Sequence, residues 1–199
     1  LLIDIGGGTS DFICYSNGDI VASGCIPVGG KAIDKDIVEQ SSQQMSTKAA
    51  EVLKCTEGNA FGDVKDTSPA YYRSDLGHDE VSIPRGLLNK IIRDRLASIL
   101  LQVRDNIPPQ VLSQSGMTVY LSGGTSLMRG LDNLAQFIFK VPVRQPLPPS
   151  TGDDYTYLSD PRYCTAIGLI RFAQKCDAAL RRKQGGWWRR FINFFRGRH

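Results

Sequence analysis

What the 199-residue sequence lacks narrows its class first. No stretch approaches the roughly 18 consecutive apolar residues of a membrane-spanning helix, and no signal peptide is visible. The five cysteines, Cys14, Cys25, Cys55, Cys164 and Cys176, are odd in number, include no C-x-x-C pair and have no histidine at metal-ligand spacing. Neither a disulfide framework nor a zinc site is indicated, which points to a reducing, cytoplasmic compartment. An initiator methionine is also lacking: Leu1-Leu2-Ile3 runs straight into a glycine loop, as a strand cut open would, and the chain reads as a fragment. Acidic residues are missing from 181–199, which holds seven Arg and Lys; the formal net charge of +4 therefore leaves 17 basic against 20 acidic residues over 1–180. A mildly acidic globule with a basic end argues against a nucleic-acid groove across the body.

What is present is an ordinary globular composition, 41% hydrophobic and 22% charged, enough for one sizeable core and a small second lobe. Residues 1–30 predict antiparallel strands, with Asn17-Gly18 as a type I′ turn whose central residues need positive φ. Ile33, Ile37 and Val38, then Ala49, Ala50, Val52 and Leu53 after a polar interruption, predict helix over 31–54. Gly, Asp, Ser and Pro dominate 56–83, with short strand pieces at Tyr71-Tyr72 and 81–83. Pro84 suits the first position of a long helix carrying Leu88, Ile91, Ile92, Leu96, Ile99, Leu100, Val103 and Ile107 at steps of three and four, stopped by Pro108-Pro109. A buried-type strand over 117–121 precedes a helix with Leu127, Met128, Leu131, Leu134, Phe137 and Ile138 on its apolar face, and a short strand at 141–143 comes next. Ala166, Ile167, Leu169, Ile170 and Ala173 predict a buried helix, and 176–186 a polar linker.

Two glycine turns carry chemistry. In Asp4-Ile5-Gly6-Gly7-Gly8-Thr9-Ser10-Asp11, glycines can aim successive N–H groups at one anion, Thr9 can add a hydroxyl, and Asp4 is placed to hold Mg2+ through water. Neither the dinucleotide fingerprint nor the P-loop spacing is met, and the glycines lead into a hairpin rather than a helix. A plain β-turn with an exposed Asp4 satisfies the same residues. Gly123-Gly124, between a strand and a helix start, suits a ribose or phosphate, although glycine at such a turn is common.

From Trp187 onward, a spacing of 100° per residue puts Trp187, Trp188, Phe191, Ile192, Phe194 and Phe195 within an arc of about 160°, with Arg189, Arg190, Asn193 and Arg196 opposite. Aromatic residues on one face and Arg on the other, after Gly185-Gly186, have the composition of a helix lying in a membrane interface. Docking on a protein surface is the alternative.

In their order, the Asp4–Asp11 block, the Ala50-Glu51-Val52-Leu53-Lys54 helix and Leu121-Ser122-Gly123-Gly124-Thr125 resemble the second half of the actin, heat-shock chaperone and sugar-kinase superfamily. Ile26-Pro27-Val28-Gly29-Gly30 and the stretch from Asp160-Pro161-Arg162 to Gly168-Leu169 make the chain most similar to the bacterial cell-division FtsA family. The resemblance implies an α/β, actin-like (ribonuclease H-like) half with a mixed sheet flanked by helices. Residues 1–30 and 84–175 would form the larger subdomain, 31–83 the smaller one, 176–186 a linker, and 187–199 a membrane-targeting amphipathic helix. It implies ATP and Mg2+ as cofactors, with Gly6, Gly7, Gly8 and Thr9 at the β- and γ-phosphates and Asp4 in the metal shell. Glu51 and Lys54 would meet the ribose, and Gly123, Gly124 and Thr125 the adenosine side; Glu51 and Lys54 also fit an ordinary surface ion pair. The implied function is a tether of the division ring to the inner face of the cytoplasmic membrane. Its partners would be the FtsZ C-terminal peptide, further copies of itself in filaments, and an anionic membrane surface, with no nucleic acid. No residue stands out as a base for ATP hydrolysis. An actin-like pilus-assembly or shape-determining scaffold is the nearer alternative, and a sugar kinase the more distant one.

Overall fold

A computed structural model describes residues 1–41, 45–73, 80–146 and 160–177. The amphipathic stretch 187–199 and the linker beyond residue 177 lie outside the described residues.

Strands β1 (Leu2–Ile5), β2 (Ser10–Ser16) and β3 (Asp19–Ile26) form an antiparallel meander. Asn17 and Gly18 turn it at φ 53° and 92°, the left-handed values that a type I′ turn requires. β1 also pairs in parallel with β6 (Val119–Ser122), and β6 with β7 (Val143–Arg144), giving the mixed order β3-β2-β1-β6-β7. Parallel strands end on the same edge of a sheet. The register Asp4↔Ser122 therefore brings the loop after β1 and the loop after β6 out side by side, although 119 residues separate Gly6 from Thr125.

Between β3 and β6 lie α1 (Gly30–Gln40), α2 (Thr47–Glu57), a hairpin of β4 (Pro69–Arg73) and β5 (Glu80–Pro84), α3 (Arg85–Asp105) and α4 (Pro109–Leu112). The helix predicted over 31–54 is thus two helices. Ser46, in the polar interruption, caps α2 by accepting from Ala49 N–H at 3.1 Å, the preference of a short hydroxyl side chain for a helix start over its interior. Pro84 closes β5 and occupies the N-cap position of α3 rather than the first helical turn.

The helix after the second glycine turn also starts later than its periodicity predicts. Gly124–Leu127 is one 3-10 turn, and α5 (Leu131–Phe139) begins behind Gly130, whose φ of 75° breaks the chain direction. Leu127 and Met128 are released from the helix face as a result.

The core gathers around α3. Leu88, Ile91, Ile92, Leu96, Leu100 and Val103 are buried together with Ile3 and Ile5 of β1, Phe12 and Cys14 of β2, Ile33 and Ile37 of α1, Leu53 of α2, and Leu131 and Leu134 of α5. Burying each of the larger apolar side chains contributes about 1.5–3 kcal/mol, which makes α3 the main packing surface of the chain.

The segment 164–177 is helical but not buried, contrary to its apolar pattern. Leu169, Ile170 and Phe172 are 65%, 60% and 67% exposed, and Ala166 and Ala173 are exposed as well. The helices packed on the core are the earlier ones, and within this segment only Cys164 and Ile167 of the apolar side chains are partly covered. It is attached at its start, where Gly123 N–H donates to Pro161 C=O at 3.1 Å and the Thr165 hydroxyl donates to the Asp4 carboxylate.

Candidate functional site

The glycine turn at 6–9 joins β1 to β2 as a hairpin connection. It is held from two sides. Gly6 C=O accepts from Gly30 N–H at 2.9 Å and from the Thr125 hydroxyl at 3.1 Å, while Gly7 C=O accepts from Lys31 N–H at 2.8 Å. In a trans peptide the C=O and the following N–H point in opposite directions. With the Gly6 and Gly7 carbonyls turned to α1, the Gly7 and Gly8 N–H groups face away from it, and neither has a backbone acceptor among the described residues. Thr9 Oγ1 donates to Asp11 at 3.2 Å.

The glycines that sterics demand are not those of the turn itself. Gly6, Gly7 and Gly8 do not have φ in the left-handed region, and a Cβ on Gly7 would meet nothing nearer than the Lys31 stem at 3.6 Å. A Cβ on Gly29 would instead stand 2.5 Å from Gly6 O, and one on Gly30 would stand 2.6 Å from Thr125 Oγ1. Gly123 is tightest, with φ at 85° and Asp4 Oδ1 where a side chain would begin.

A pocket of about 400 Å3 opens beside these turns. The positions predicted from sequence that line it are Gly7, Glu51, Lys54, Gly124 and Thr125, from three separated stretches of chain. Gly6 and Gly123 stand behind its wall through the bonds just described. Asp4 is half-buried on the strand face opposite Ile3 and Ile5, where one carboxylate oxygen takes the Thr165 hydroxyl and the other abuts Gly123.

Glu51 and Lys54 share a face of α2 but differ in environment. Glu51 is exposed, whereas Lys54 is 8% exposed, with Nζ 3.3 Å from Gly30 O and 2.7 Å from Asp34 Oδ1. The contact with Asp34 is a close ion pair between two buried side chains. Burial pushes the Asp34 carboxyl up from its ordinary range, and the Lys54 ammonium draws it back. The Lys54 charge is therefore committed to α1 and is not a solvated surface pair.

Sequence reasoning missed the rest of the lining: Gly30, Lys31, Asp34, Cys55, Leu127, Met128 and Arg162. Leu127 and Met128 were hidden by an apolar spacing that continues smoothly into α5. Arg162 lies in a family-like stretch that carried no assigned role; it forms an ion pair with Asp160 at 2.5 Å and holds that carboxyl below its usual range.

Two loops side by side at one edge of this mixed sheet, with helices packed on it, define an actin-like α/β protein. Solved structures agree: MreB5 of Spiroplasma citri bound to ADP superposes with a TM-score of 0.65 at 25% identity, over 90% of this chain and 54% of that one. The PilM-PilN type IV pilus biogenesis complex matches in fold with a TM-score of 0.56 at 19% identity, over 84% of this chain and 44% of that one. The chain belongs to the FtsA family of cell division proteins, whose family model matches residues 1–168. The cell division protein FtsA of Neisseria meningitidis serogroup B is 33% identical over 192 residues, covering 93% of this chain, and that of Escherichia coli K12 is 30% identical over 184 residues, covering 87%. The chain spans 45% and 43% of the lengths of these two relatives.

Proposed function

We propose that the protein containing this chain binds ATP with Mg2+ and links the FtsZ division ring to the inner face of the cytoplasmic membrane. The observation that carries the nucleotide reading is the pocket bounded by Gly7, Glu51, Lys54, Gly124 and Thr125, in which two loops and one helix of an actin-like fold converge. The Gly7 and Gly8 N–H groups, without a backbone acceptor among the described residues, form a nest for the β- and γ-phosphates, and Gly6 and Thr9 shape the turn that presents them through the Gly6 N–H to Thr9 C=O bond. Glu51 accepts from the ribose hydroxyls, Gly123, Gly124 and Thr125 bound the adenosine side, and Lys54 supports the site by fixing Asp34 and Gly30.

Asp4 fits a place in the outer metal shell, because a carboxylate that takes one hydroxyl retains lone pairs for a bridging water. No cluster of three or more metal-ligating side chains occurs among the described residues, so phosphate oxygens and water would supply the ion's other ligands. When bound, Mg2+ would neutralise phosphate charge. The solved MreB5 with ADP, and another bound to AMPPNP, support a nucleotide in this fold. The MamK double helical filament supports filament formation by such a fold.

In this reading 1–30 and 84–175 make the larger subdomain and 31–83 the smaller, while 176–186 links them to the 187–199 membrane helix. The protein sits peripherally on the membrane at the division site, bound through the aromatic face of Trp187, Trp188, Phe191, Ile192, Phe194 and Phe195 and the basic face of Arg189, Arg190 and Arg196.

Gly7→Val in the full-length protein tests the pocket. A Cβ there meets nothing nearer than the flexible Lys31 stem at 3.6 Å, while the branched side chain would occupy the phosphate position, so ATP titration should show binding lost with thermal unfolding little changed. Undiminished affinity would remove the phosphate-loop assignment. Vesicle co-sedimentation tests the membrane reading: Trp188→Glu and Phe195→Glu should release the protein from anionic vesicles, and Asn193→Glu much less. Equal losses would reduce the contact to charge adsorption.

A further inference from the structure

Two lysines line the pocket, and they differ in what they are free to do. The Lys54 ammonium is buried against Asp34 and Gly30 C=O. Lys31 is exposed, and its stem runs along Gly7, with Cε 3.6 Å from where a Gly7 side chain would begin. Its ammonium has no hydrogen-bond or ion-pair partner among the described residues, whereas the pocket's third cation, Arg162, is paired with Asp160.

The position of Lys31 is also electrostatically unfavourable for folding. It is the second residue of α1, an 11-residue helix whose N-cap, Gly29, offers no side-chain cap and whose first turn carries no acidic residue. A cation there faces the positive end of the helix dipole, where an anion is normally favoured. The Gly30 and Lys31 N–H groups are already spent on the Gly6 and Gly7 carbonyls, so the helix start is itself hydrogen-bonded and is not an open anion site. Positive charge is thus added to a place that already holds too much of it, beside a turn whose remaining N–H groups point into the open. Of the pocket's carboxylates, Asp34 is matched chiefly by the Lys54 ion pair, with a weaker attraction to Lys31 and a repulsion from Glu51 of α2, so neither forms an ion pair with the Lys31 ammonium.

Resting on the nucleotide reading above, we propose that Lys31 is the phosphate-neutralising residue of this pocket: its ammonium meets the distal phosphates held at Gly7 and Gly8. Lys54, which the family likeness marks out, is instead a positioning residue. A bound polyanion supplies the negative charge that the first turn of α1 lacks, and it does so in proportion to the number of phosphates beyond the first.

The test is titration of the full-length protein, wild type, Lys31→Gln and Lys31→Arg, with ATP and with AMP, at low and high salt. An exposed, charge-assisted contact predicts that Lys31→Gln weakens ATP about three- to tenfold and AMP by less than about twofold, with Lys31→Arg close to wild type. The salt dependence of ATP binding should flatten in Lys31→Gln, because one screened contact is gone. Its thermal unfolding without ligand should be unchanged or slightly higher, since a repulsion at the helix start is relieved. Equal losses for ATP and AMP, or an ATP affinity unaltered by Lys31→Gln, would overturn the assignment while leaving the nucleotide site intact. Absence of ATP binding by the wild type would overturn the nucleotide reading and Lys31's role with it.

Discussion

Helix α3 carries Leu88, Ile91, Ile92, Leu96, Ile99, Leu100 and Val103 at steps of three and four, and every one of them is at most 1% exposed. The 164–177 helix carries Ile167, Ile170 and neighbouring apolar residues at comparable steps, yet Leu169, Ile170 and Phe172 are 60–67% exposed. Periodicity therefore reports a helix with an apolar side, while burial needs an opposing surface. α3 packs against both α1 and α5. The later helix is tied down through Pro161 and Thr165 at its beginning, and its large apolar side chains stay mostly exposed among the described residues.

Substitutions in the two regions put this contrast at risk, and denaturant unfolding measures each. The largest effect belongs to charge inside the packed region: Lys54→Ala leaves Asp34, 2% exposed, without its cation, and should cost about 3–5 kcal/mol. A loss under about 1 kcal/mol would mean that the pair is solvated like a surface one. Leu96→Ala opens a cavity in the middle of α3 and should cost about 2–5 kcal/mol; a near-neutral result would refute the claim that α3 organises the core. Thr165→Val removes the hydroxyl that joins the 164–177 helix to Asp4, and a loss of about 0.5–1.5 kcal/mol is expected. Phe172→Ser, in the same helix but 67% exposed, should stay within about 0.5 kcal/mol. A cost as large as that of Leu96→Ala would show that the helix is covered in solution.

The site was legible where local chemistry and chain order coincide. Asn17-Gly18 announced its turn because few residue pairs tolerate two positive φ values in succession. The Gly6–Thr9 and Gly123–Thr125 turns stood out by composition, and their order matched the FtsA family. The inner requirements were not legible. Gly29 and Gly30 are small because the first glycine turn and Thr125 lie against them, and both contacts arise from residues distant in sequence. Leu127 and Met128 continued an apolar spacing until Gly130, in a left-handed conformation, separated them from α5. Lys54 suited a ribose contact or a surface ion pair, and its burial stayed hidden because nothing in its neighbourhood along the chain reveals that Asp34 of α1 packs against it.

The amino-acid order alone thus specified the elements that rest on short-range forces: the Asn-Gly hairpin, the periodic span of α3 and the two glycine turns, each set by backbone sterics or by side chains three or four residues apart. Tertiary contacts settled the rest. Parallel pairing of β1 with β6 brought the turns to one edge, the packing of α1 on α2 buried Lys54 and left Lys31 exposed, and the availability of a facing surface separated α3 from the 164–177 helix. The reason is that burial and charge pairing are properties of two surfaces in contact, and a single stretch of chain encodes only one of them.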